Sequence, residues 1–324
     1  MEVHLEQNGW ERSLKGWIIV DCATRGDGIL CICARKVIPN AQASLMWDSD
    51  IPTRIMSIDL HISGADNWGM SEVSGFNIPV LGVSRAPFPM PQGMIASKDK
   101  NGDVFPRGSG VNGPIESIHV GASPFPNRLK CINGYTWCVS SGRRIYKRVA
   151  VGKWVPMNQG FPDVPRSSSL GFDDMDAFAE NDMYAVGGDG DVWHFNGTIW
   201  RQMGFPSNVQ LGTVTCAGDG KVYISGEGGS LWVGRESSWK KIYSGGSSIL
   251  WNDVLWFNGQ LWLASDYQFM IWNGKKMEGV SHGGKPVSIN GHMDAYNGEL
   301  VIASSNSVMT FDGKQWKKIV APYF

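Results

Sequence analysis

The sequence has no excess charge of either sign and no long run of apolar residues. Its 324 residues include 29 Lys and Arg and 30 Asp and Glu, which gives a formal net charge of −1. A nearly neutral chain has no broad positive field to attract phosphate backbones, which disfavours nucleic-acid binding as its main role. The longest apolar runs, such as residues 17–20, are far too short to span a bilayer. Residues 1–6 lack the basic start and apolar stretch of a secretory signal, so we expect a cytoplasmic protein that contacts neither nucleic acid nor membrane.

Recognisable catalytic and metal-binding motifs are missing as well. The six histidines are scattered, and no His-Glu-x-x-His pair, Gly-x-Ser-x-Gly nucleophile elbow or phosphate loop occurs. The six cysteines show no metal-ligand spacing and are best interpreted as buried free thiols in a reducing compartment. A disulfide, for example between Cys131 and Cys138 facing each other across a hairpin, and a zinc site are the alternatives. We predict no cofactor, no metal ion and no enzymatic activity.

Glycine and tryptophan, by contrast, are abundant, with 41 and 15 residues. The stretch from Tyr184 to Met203 shows how they are used. It alternates short apolar strands with turns, including Asn196-Gly197, a dipeptide that favours a tight hairpin because both central residues of such a turn need positive φ. With the preceding segment 174–178 it predicts four antiparallel strands in about 46 residues, which is the content of one propeller blade.

This unit repeats along the chain. The last strand of each unit carries a bulky residue at Trp154, Trp200, Trp239, Met277 and Trp316, at spacings of 46, 39, 38 and 39 residues. Such a period predicts an all-β fold: a single β-propeller domain over residues 1–324, with seven four-stranded antiparallel blades and six as the alternative. The predicted blades are 16–73, 74–119, 120–158, 159–204, 205–243, 244–281 and 282–319. Residues 1–15 are predicted to form a separate N-terminal strand piece.

The repeat resembles a known kind of propeller sequence. The pattern Tyr184-Ala-Val-Gly, Val192-Trp-His-Phe-Asn-Gly and Trp200-Arg-Gln-Met is similar to bacterial β-propeller repeat proteins of the YVTN or WD-like kind. The resemblance covers predicted blades 3 to 7 better than blades 1 and 2. It departs from true WD repeats, because the Gly-His start and the Trp-Asp ending are absent. The resemblance implies a fold and no function.

Loop lengths predict which face of the propeller carries a site. The first-to-second and third-to-fourth strand turns are tight, whereas the connections on the opposite face, above all 36–53 and 160–172, are long and varied. Binding residues concentrate on loops held by a rigid scaffold, so we predict that the long-loop face binds a partner. The predicted rim of the channel on that face consists of Asp173, Asp174, Asp176, Trp251, Asn252, Asp253, Asn290, His292 and Asp294. The alternative is that these carboxylates cap backbone N–H groups or face solvent.

The predicted function is non-enzymatic protein binding. An acidic rim suits a basic partner, and the most specific hypothesis is a bacterial immunity or antitoxin-type protein that occludes the basic active-site cleft of a cognate toxin. A carbohydrate or small-molecule binder is the first alternative, although the loops differ between blades. A hydrolase or lyase using Asp173, Asp174, Asp253 and His292 is the second. It requires at least two carboxylates to converge with His292 within ~6 Å.

Overall fold

The structure is a computed structural model, and it describes residues 3–99, 102–119, 125–163, 170–246 and 249–323. Seven antiparallel sheets stand in a ring, and in each sheet the strands pair in chain order. The prediction of a seven-bladed β-propeller is therefore confirmed. Blade 2 is the least regular, because its outermost strand is broken into two short pieces that both pair with the same neighbour.

The strands of the first three blades are as follows. Blade 1 contains β1 Trp17–Gly26, β2 Ile29–Lys36, β3 Thr53–Asp59 and β4 Trp68–Val73. Blade 2 contains β5 Val80–Ser84, β6 Gln92–Ala96, β7 Asp103–Gly108, β8 Val111–Asn112 and β9 Glu116–Ser117. Blade 3 contains β10 Pro126–Ile132, β11 Tyr135–Ser140, β12 Arg144–Ala150 and β13 Lys153–Pro156.

The remaining strands form blades 4 to 7. Blade 4 contains β14 Asp174–Ala179, β15 Asp182–Gly187, β16 Asp191–Phe195 and β17 Trp200–Gln202. Blade 5 contains β18 Leu211–Cys216, β19 Val222–Gly226, β20 Ser230–Arg235 and β21 Ser238–Tyr243. Blade 6 contains β22 Asp253–Phe257, β23 Gln260–Ala264, β24 Phe269–Trp272 and β25 Met277–Gly279. A small hairpin, β26 Ser281–His282 and β27 Lys285–Pro286, precedes blade 7, which contains β28 His292–Tyr296, β29 Glu299–Ala303, β30 Val308–Phe311 and β31 Trp316–Val320.

Helical structure is sparse. The described residues include α1 Gln7–Ser13, α2 Asn40–Ala43 and the single 3-10 turns Asp48–Asp50 and Glu227–Gly229. Within these residues, no helix has the length and apolar character needed to cross a membrane.

The tight turns follow from Asn-Gly dipeptides at three hairpins. Asn133, Asn258 and Asn297 adopt φ values near +50°, and each is followed by a positive-φ glycine, as a two-residue hairpin turn requires. Asn196-Gly197 differs from the prediction, since only its glycine has positive φ. There the Asn196 side chain instead accepts hydrogen bonds from the N–H groups of Thr198 and Ile199, which makes a longer turn.

The hydrophobic core lies within and between the blades, and the repeated tryptophans form part of it. Trp200 is 1% exposed and stacks on Phe161 with ring centroids 5.3 Å apart. Trp316 is 5% exposed and stacks on Phe311 at 4.8 Å. Large aromatic rings at one position per blade bury much apolar area where neighbouring sheets diverge. These tryptophans are structural.

The N-terminal piece adds to the outer edge of blade 7, and only part of its predicted structure is correct. Residues His4 and Leu5 donate backbone hydrogen bonds to the carbonyls of Lys318 and Ile319, so this piece runs parallel to β31 at the outer edge of blade 7. The rest of the predicted strand piece differs from the structure, because Gln7–Ser13 form the helix α1. Gly9 allows the helix to approach closely, because a Cβ there would lie 2.7 Å from both Leu5 and the Trp68 ring.

The cysteine pairing considered from the sequence does not occur. Leu129 faces Cys138 in the β10–β11 register, and Cys131 faces Thr136, so the two thiols are not opposite each other. The two cysteines are offset by two residues on the same sheet face, and such diagonal neighbours are farther apart than a disulfide allows. All six cysteines are free thiols.

The two faces of the ring differ in their loops. On one, which we call the long-loop face, lie the described parts of the connections 37–52, 74–79, 97–99 with 102, 118–119 with 125, 141–143, 157–163 with 170–173, 188–190, 203–210, 227–229, 244–246 with 249–252, 265–268, 280–291 and 304–307. The other, the short-turn face, carries mostly two- to four-residue turns, with 60–67 and 85–91 as longer exceptions.

Candidate functional site

Most predicted rim aspartates join neighbouring blades at the innermost strands. The carboxylate of Asp174 accepts the N–H of Val214 at 3.1 Å, and that of Asp253 accepts the N–H of Met293 at 3.0 Å. In both cases an aspartate on the innermost strand of one blade accepts a hydrogen bond from a backbone N–H group on the innermost strand of the next blade. The same contact is made by Asp21 to Leu81, Asp176 to Cys216 and Asp294 to Thr24. We call these five contacts the aspartate latches, and the last one joins blade 7 to blade 1.

The latches give the aspartates of the channel a structural role. A carboxylate that accepts a buried backbone N–H satisfies a donor that would otherwise be unpaired at considerable cost. Burial raises the pKa of Asp21, Asp176 and Asp294. These residues have the capping role that the sequence left open as the alternative, and whether any of them also contacts a partner stays a prediction.

Arg128 spans the channel near its long-loop end. From β10 in blade 3 it donates to the Asp253 carboxylate at 2.6 Å and to the carbonyl of Asn252 at 2.7 Å, both in blade 6 or its entry loop. Its Nε lies 3.5 Å from the carboxylate of Asp174 in blade 4. Lys130, two residues further along the same strand face, lies 3.6 Å from the same Asp174 oxygen. Arg128 therefore connects three blades across the middle of the ring.

His292 completes this network on the blade 7 side. Its Nδ1 lies 3.3 Å from Asp253 and 4.0 Å from Asp21. Burial alone would lower the pKa of His292, but the Asp253 contact and the charge of Asp21 outweigh it and raise the pKa to about 9. Burial of Asp253 is likewise outweighed, because Arg128 and His292 hold the pKa of that carboxyl well below its usual range.

Three other predicted site residues hold the loops of the long-loop face in place. Trp251 is 5% exposed and packs in the core between blades 5 and 6, and its Nε1 donates to the carbonyl of Gly229. Asn252 donates to Asp266, and Asn290 donates to the Asp266 carbonyl. Trp251, which the sequence predicted as part of the partner-binding rim, is therefore buried in the core. Successive residues where a loop enters a strand point alternately to the core and to solvent. The sequence does not show which of them faces the core.

Asp173 is the predicted residue that faces the outer side of the rim. It is half-buried and accepts a hydrogen bond from Gln210 at 2.8 Å. It belongs to a larger set of carboxylates on the loops before and within blades 4 to 6, which we call the acidic arc: Asp163, Asp173, Asp189, Glu227 and Asp266. The described parts of the connections between 157 and 268 on this face contain no Lys, Arg or His. The described part of these loops is therefore negatively charged. Burial raises the pKa of Asp173, and the charge of Lys98, in the connection that enters β7, counters that rise in part.

Exposed apolar side chains lie on the same face. The most exposed are Leu45 at 85%, Trp47 at 80% and Tyr267 at 79%, and Leu250 and Ile78 are also exposed by more than half. Reasoning from the sequence missed them, although it identified 36–53 as unusually long. A tryptophan inside a long loop, where no strand partner can bury it, was the available signal. It also missed Arg128 and Lys130, whose spacing of two on an innermost strand directs both side chains into the channel.

The channel itself is a polar cavity of about 730 Å³ that extends towards the short-turn face. Its walls carry Arg128, Lys130, Asp176 and Asp294 together with backbone and small side chains. Among the described residues no group of three or more His, Cys, Asp or Glu side chains is arranged to hold a metal ion. Most charged side chains of the channel form ion pairs with one another.

The convergence required for an enzyme is met by His292, Asp253 and Asp21, but not by the predicted set. Asp174 faces Lys130 and Arg128, and Asp173 contacts Gln210 on the outer rim. Within the converging group, the carboxylates of Asp253 and Asp21 raise the pKa of His292 to about 9, which favours its imidazolium form at neutral pH. A group in that state cannot accept a proton as a general base.

Fold and site together define a seven-bladed β-propeller with apolar and acidic side chains exposed on its long-loop face. No protein-family model matches the chain. Two solved propellers share the fold at 12% identity: the WD40 β-propeller domain of Doa1, with a TM-score of 0.57 over 89% of this chain and 90% of that one, and a catalytically inactive virginiamycin B lyase from Staphylococcus aureus with quinupristin, with a TM-score of 0.63 over 92% and 93%. These similarities support the assignment of the chain to the propeller-repeat proteins, whereas its more specific resemblance to YVTN-like repeats stays a prediction.

A curated protein is more similar in sequence. The chain is 29% identical over 224 residues to the Immune protein Tsi7 of Pseudomonas aeruginosa, and the match covers 67% of this chain and 73% of that protein.

Proposed function

We propose that this chain is an immunity protein that binds a protein toxin and neutralises it by covering the toxin's active site. The observation that carries the proposal is the similarity to the Immune protein Tsi7 over two thirds of the chain. Structural likeness to the other propellers supports only the fold, because their sequence identity is 12%.

The long-loop face supports the same function on physical grounds. Exposed large apolar side chains on a rigid scaffold are typical of protein-binding surfaces, in which tryptophan and tyrosine provide much of the binding energy. Trp47 and Tyr267 are of this kind. The acidic arc adds negative charge, which would accelerate capture of a toxin with a basic active-site cleft. The loops differ from blade to blade, which suits one large asymmetric partner better than a repeated small ligand.

The proposal is tested by capture followed by rescue of growth. The purified chain serves as bait in lysate of the source cell, and proteins retained in stoichiometric amount are identified by mass spectrometry. Each is then expressed in a susceptible host with and without this chain. We expect one captured protein to arrest growth alone and to be harmless when co-expressed. If no captured protein is toxic, or if co-expression does not restore growth, the proposal is wrong.

A second candidate function, a hydrolase or lyase, rests on the convergence of His292, Asp253 and Asp21. Titration of toxin activity with the purified chain distinguishes the two. A binding protein inhibits with an end point at a fixed molar ratio, whereas an enzyme acting on the toxin inhibits at far lower ratios and with time. We expect a fixed ratio, and we expect the His292→Gln variant to inhibit at that same ratio.

A further inference from the structure

The connection between β2 and β3, residues 37–52, presents two large apolar side chains to solvent. Leu45 and Trp47 are 85% and 80% exposed, although apolar side chains of this size usually gain ~2 kcal/mol or more on burial. We propose that Leu45 and Trp47 form the apolar anchor with which this chain binds its toxin, and that Asp48 is the positioning residue that holds the anchor ready. The inference rests on the proposed function and names the contact surface.

The anchor is held in place by a set of polar contacts centred on Asp48. The Asp48 carboxylate accepts a hydrogen bond from Arg35 at 3.1 Å and another from the N–H of Ile78 in the neighbouring connection. Arg35 also donates to the carbonyl of Asp48 at 2.5 Å. Arg35 belongs to β2, a central strand of blade 1, and its side chain is only 12% exposed. The loop is thus attached both to its own blade and to the connection that enters blade 2.

Two further contacts fix the backbone beside the tryptophan. The N–H of Trp47 donates to the Asp50 carboxylate at 2.9 Å, and the carbonyl of Ser49 accepts from the N–H of Gly75 at 3.0 Å. The backbone of residues 47–50 is therefore ordered while the indole ring faces solvent. A backbone held in this way loses little conformational entropy on binding, and tryptophan is among the residues that contribute most binding energy at interfaces.

The charge of the same face defines the partner's chemistry. The acidic arc lies on blades 4 to 6, and the anchor lies on blade 1, so a partner that covers both crosses the channel mouth. Arg128 spans the channel at that end by its contacts with Asp253 and Asn252, which favours docking across the face over insertion of a loop. The partner is therefore a protein with a basic surface and, at its margin, an apolar pocket that takes Trp47.

The test measures the affinity of purified variants for the toxin identified by capture. Leu45→Ala with Trp47→Ala is expected to weaken binding at least ~30-fold, the ratio that corresponds to a loss of about 2 kcal/mol. The matched control is Ile62→Ala, an exposed apolar residue on the short-turn face, which is expected to bind like the wild type. Equal affinity of the double variant and the wild type overturns the anchor, even where the wild type still neutralises the toxin.

The positioning role of Asp48 has its own readout in the free chain. Hydrogen exchange of residues 45–51 and of the Ile78 amide is expected to become faster in Asp48→Ala, while exchange in the blades is unchanged. Asp48→Asn retains one acceptor oxygen and is expected to restore part of the protection. Binding should weaken about 3- to 10-fold in Asp48→Ala, since the toxin must then order the loop. Unchanged exchange in Asp48→Ala overturns the positioning role, whatever the toxin result.

The charge of the partner is tested by reversing the arc. Asp189→Lys with Glu227→Lys is expected to slow association about 10-fold at low salt, and the difference should disappear at high salt. Asp66→Lys, on the exposed 60–67 connection of the opposite face, is the matched control. Association as fast as that of the wild type shows that the partner surface is not basic and overturns this part of the inference.

Discussion

The cross-channel network predicts that a single arginine stabilises the ring as a whole. Arg128→Met keeps most of the side-chain volume and removes the charge. The change deletes the 2.6 Å contact with Asp253, the 2.7 Å bond to the Asn252 carbonyl and the 3.5 Å contact with Asp174. Both carboxylates are nearly inaccessible, at 8% and 2% side-chain exposure, so neither can recover its lost partner from bulk solvent.

The size of the stability loss depends on the contacts that each carboxylate retains in the variant. Asp253 retains His292 at 3.3 Å and Asp174 retains Lys130 at 3.6 Å, and both keep their latch to the next blade. Removing one member of a buried ion pair costs about 3–5 kcal/mol, and the remaining cations place this site at the lower end. We expect the free energy of unfolding to fall by about 3 kcal/mol.

The assay is urea unfolding followed by tryptophan fluorescence, with the midpoint compared at constant slope. The matched control is Arg201→Met on the exposed side of β17, which is expected to change stability by less than about 0.5 kcal/mol. Adding Asp253→Asn to Arg128→Met should cost less than the sum of the single changes, because both act on one interaction. Equal stability of the Arg128 and Arg201 variants refutes the account of the channel as a cross-blade network.

Three further outcomes are expected. Because the pKa of His292 is raised from its ordinary 6.5 to about 9, its stabilising contribution should be complete below pH ~6.5 and be lost as the pH rises through ~9; the urea midpoint of His292→Gln should lack this decline. Glu116→Leu leaves the charge of Arg148, which is 1% exposed, without its carboxylate partner, and should lower the free energy of unfolding by about 3–5 kcal/mol in the same assay. The double variant Glu116→Leu with Arg148→Met should recover most of that loss. Gly160→Ala, at φ +99° with its new Cβ 2.3 Å from a backbone oxygen of β17, should lower the free energy of unfolding by about 2 kcal/mol, whereas Gly204→Ala, which meets no neighbour, should not.

The fold was predictable because the same pattern of strands and turns recurs along the sequence at a nearly constant spacing. Tryptophans at spacings near 39 residues and Asn-Gly turns between short apolar strands are local features, and they fix the blade count once the first two blades are included. The N-terminal segment was not predictable in the same way. The helix Gln7–Ser13 packs with Gly9 against Trp68 of blade 1, a contact between distant parts of the chain. Local propensity carries no information about such a contact.

At the candidate site, the sequence predicts a binding face, which stays a prediction, and does not predict where the side chains on that face point. Loop length indicated the long-loop face, but the direction of each side chain on it depends on the phase of the strand and on the neighbouring blade. Asp174 and Asp253 therefore point to the next inner strand, and Trp251 points into the core. Trp47 points outward because Asp48 is tied to Arg35 and to the Ile78 amide. The sequence shows these residues and not the contacts that orient them.

The most direct test of the central claim is hydrogen exchange of the wild-type chain with and without the captured toxin. An immunity protein that docks through its long-loop face should show new protection in the connections 37–52, 188–190 and 265–268. The connections 60–67 and 85–91 on the short-turn face should exchange as in the free chain. Protection confined to the short-turn face, or no protection at a toxin concentration that abolishes toxicity, would contradict the account.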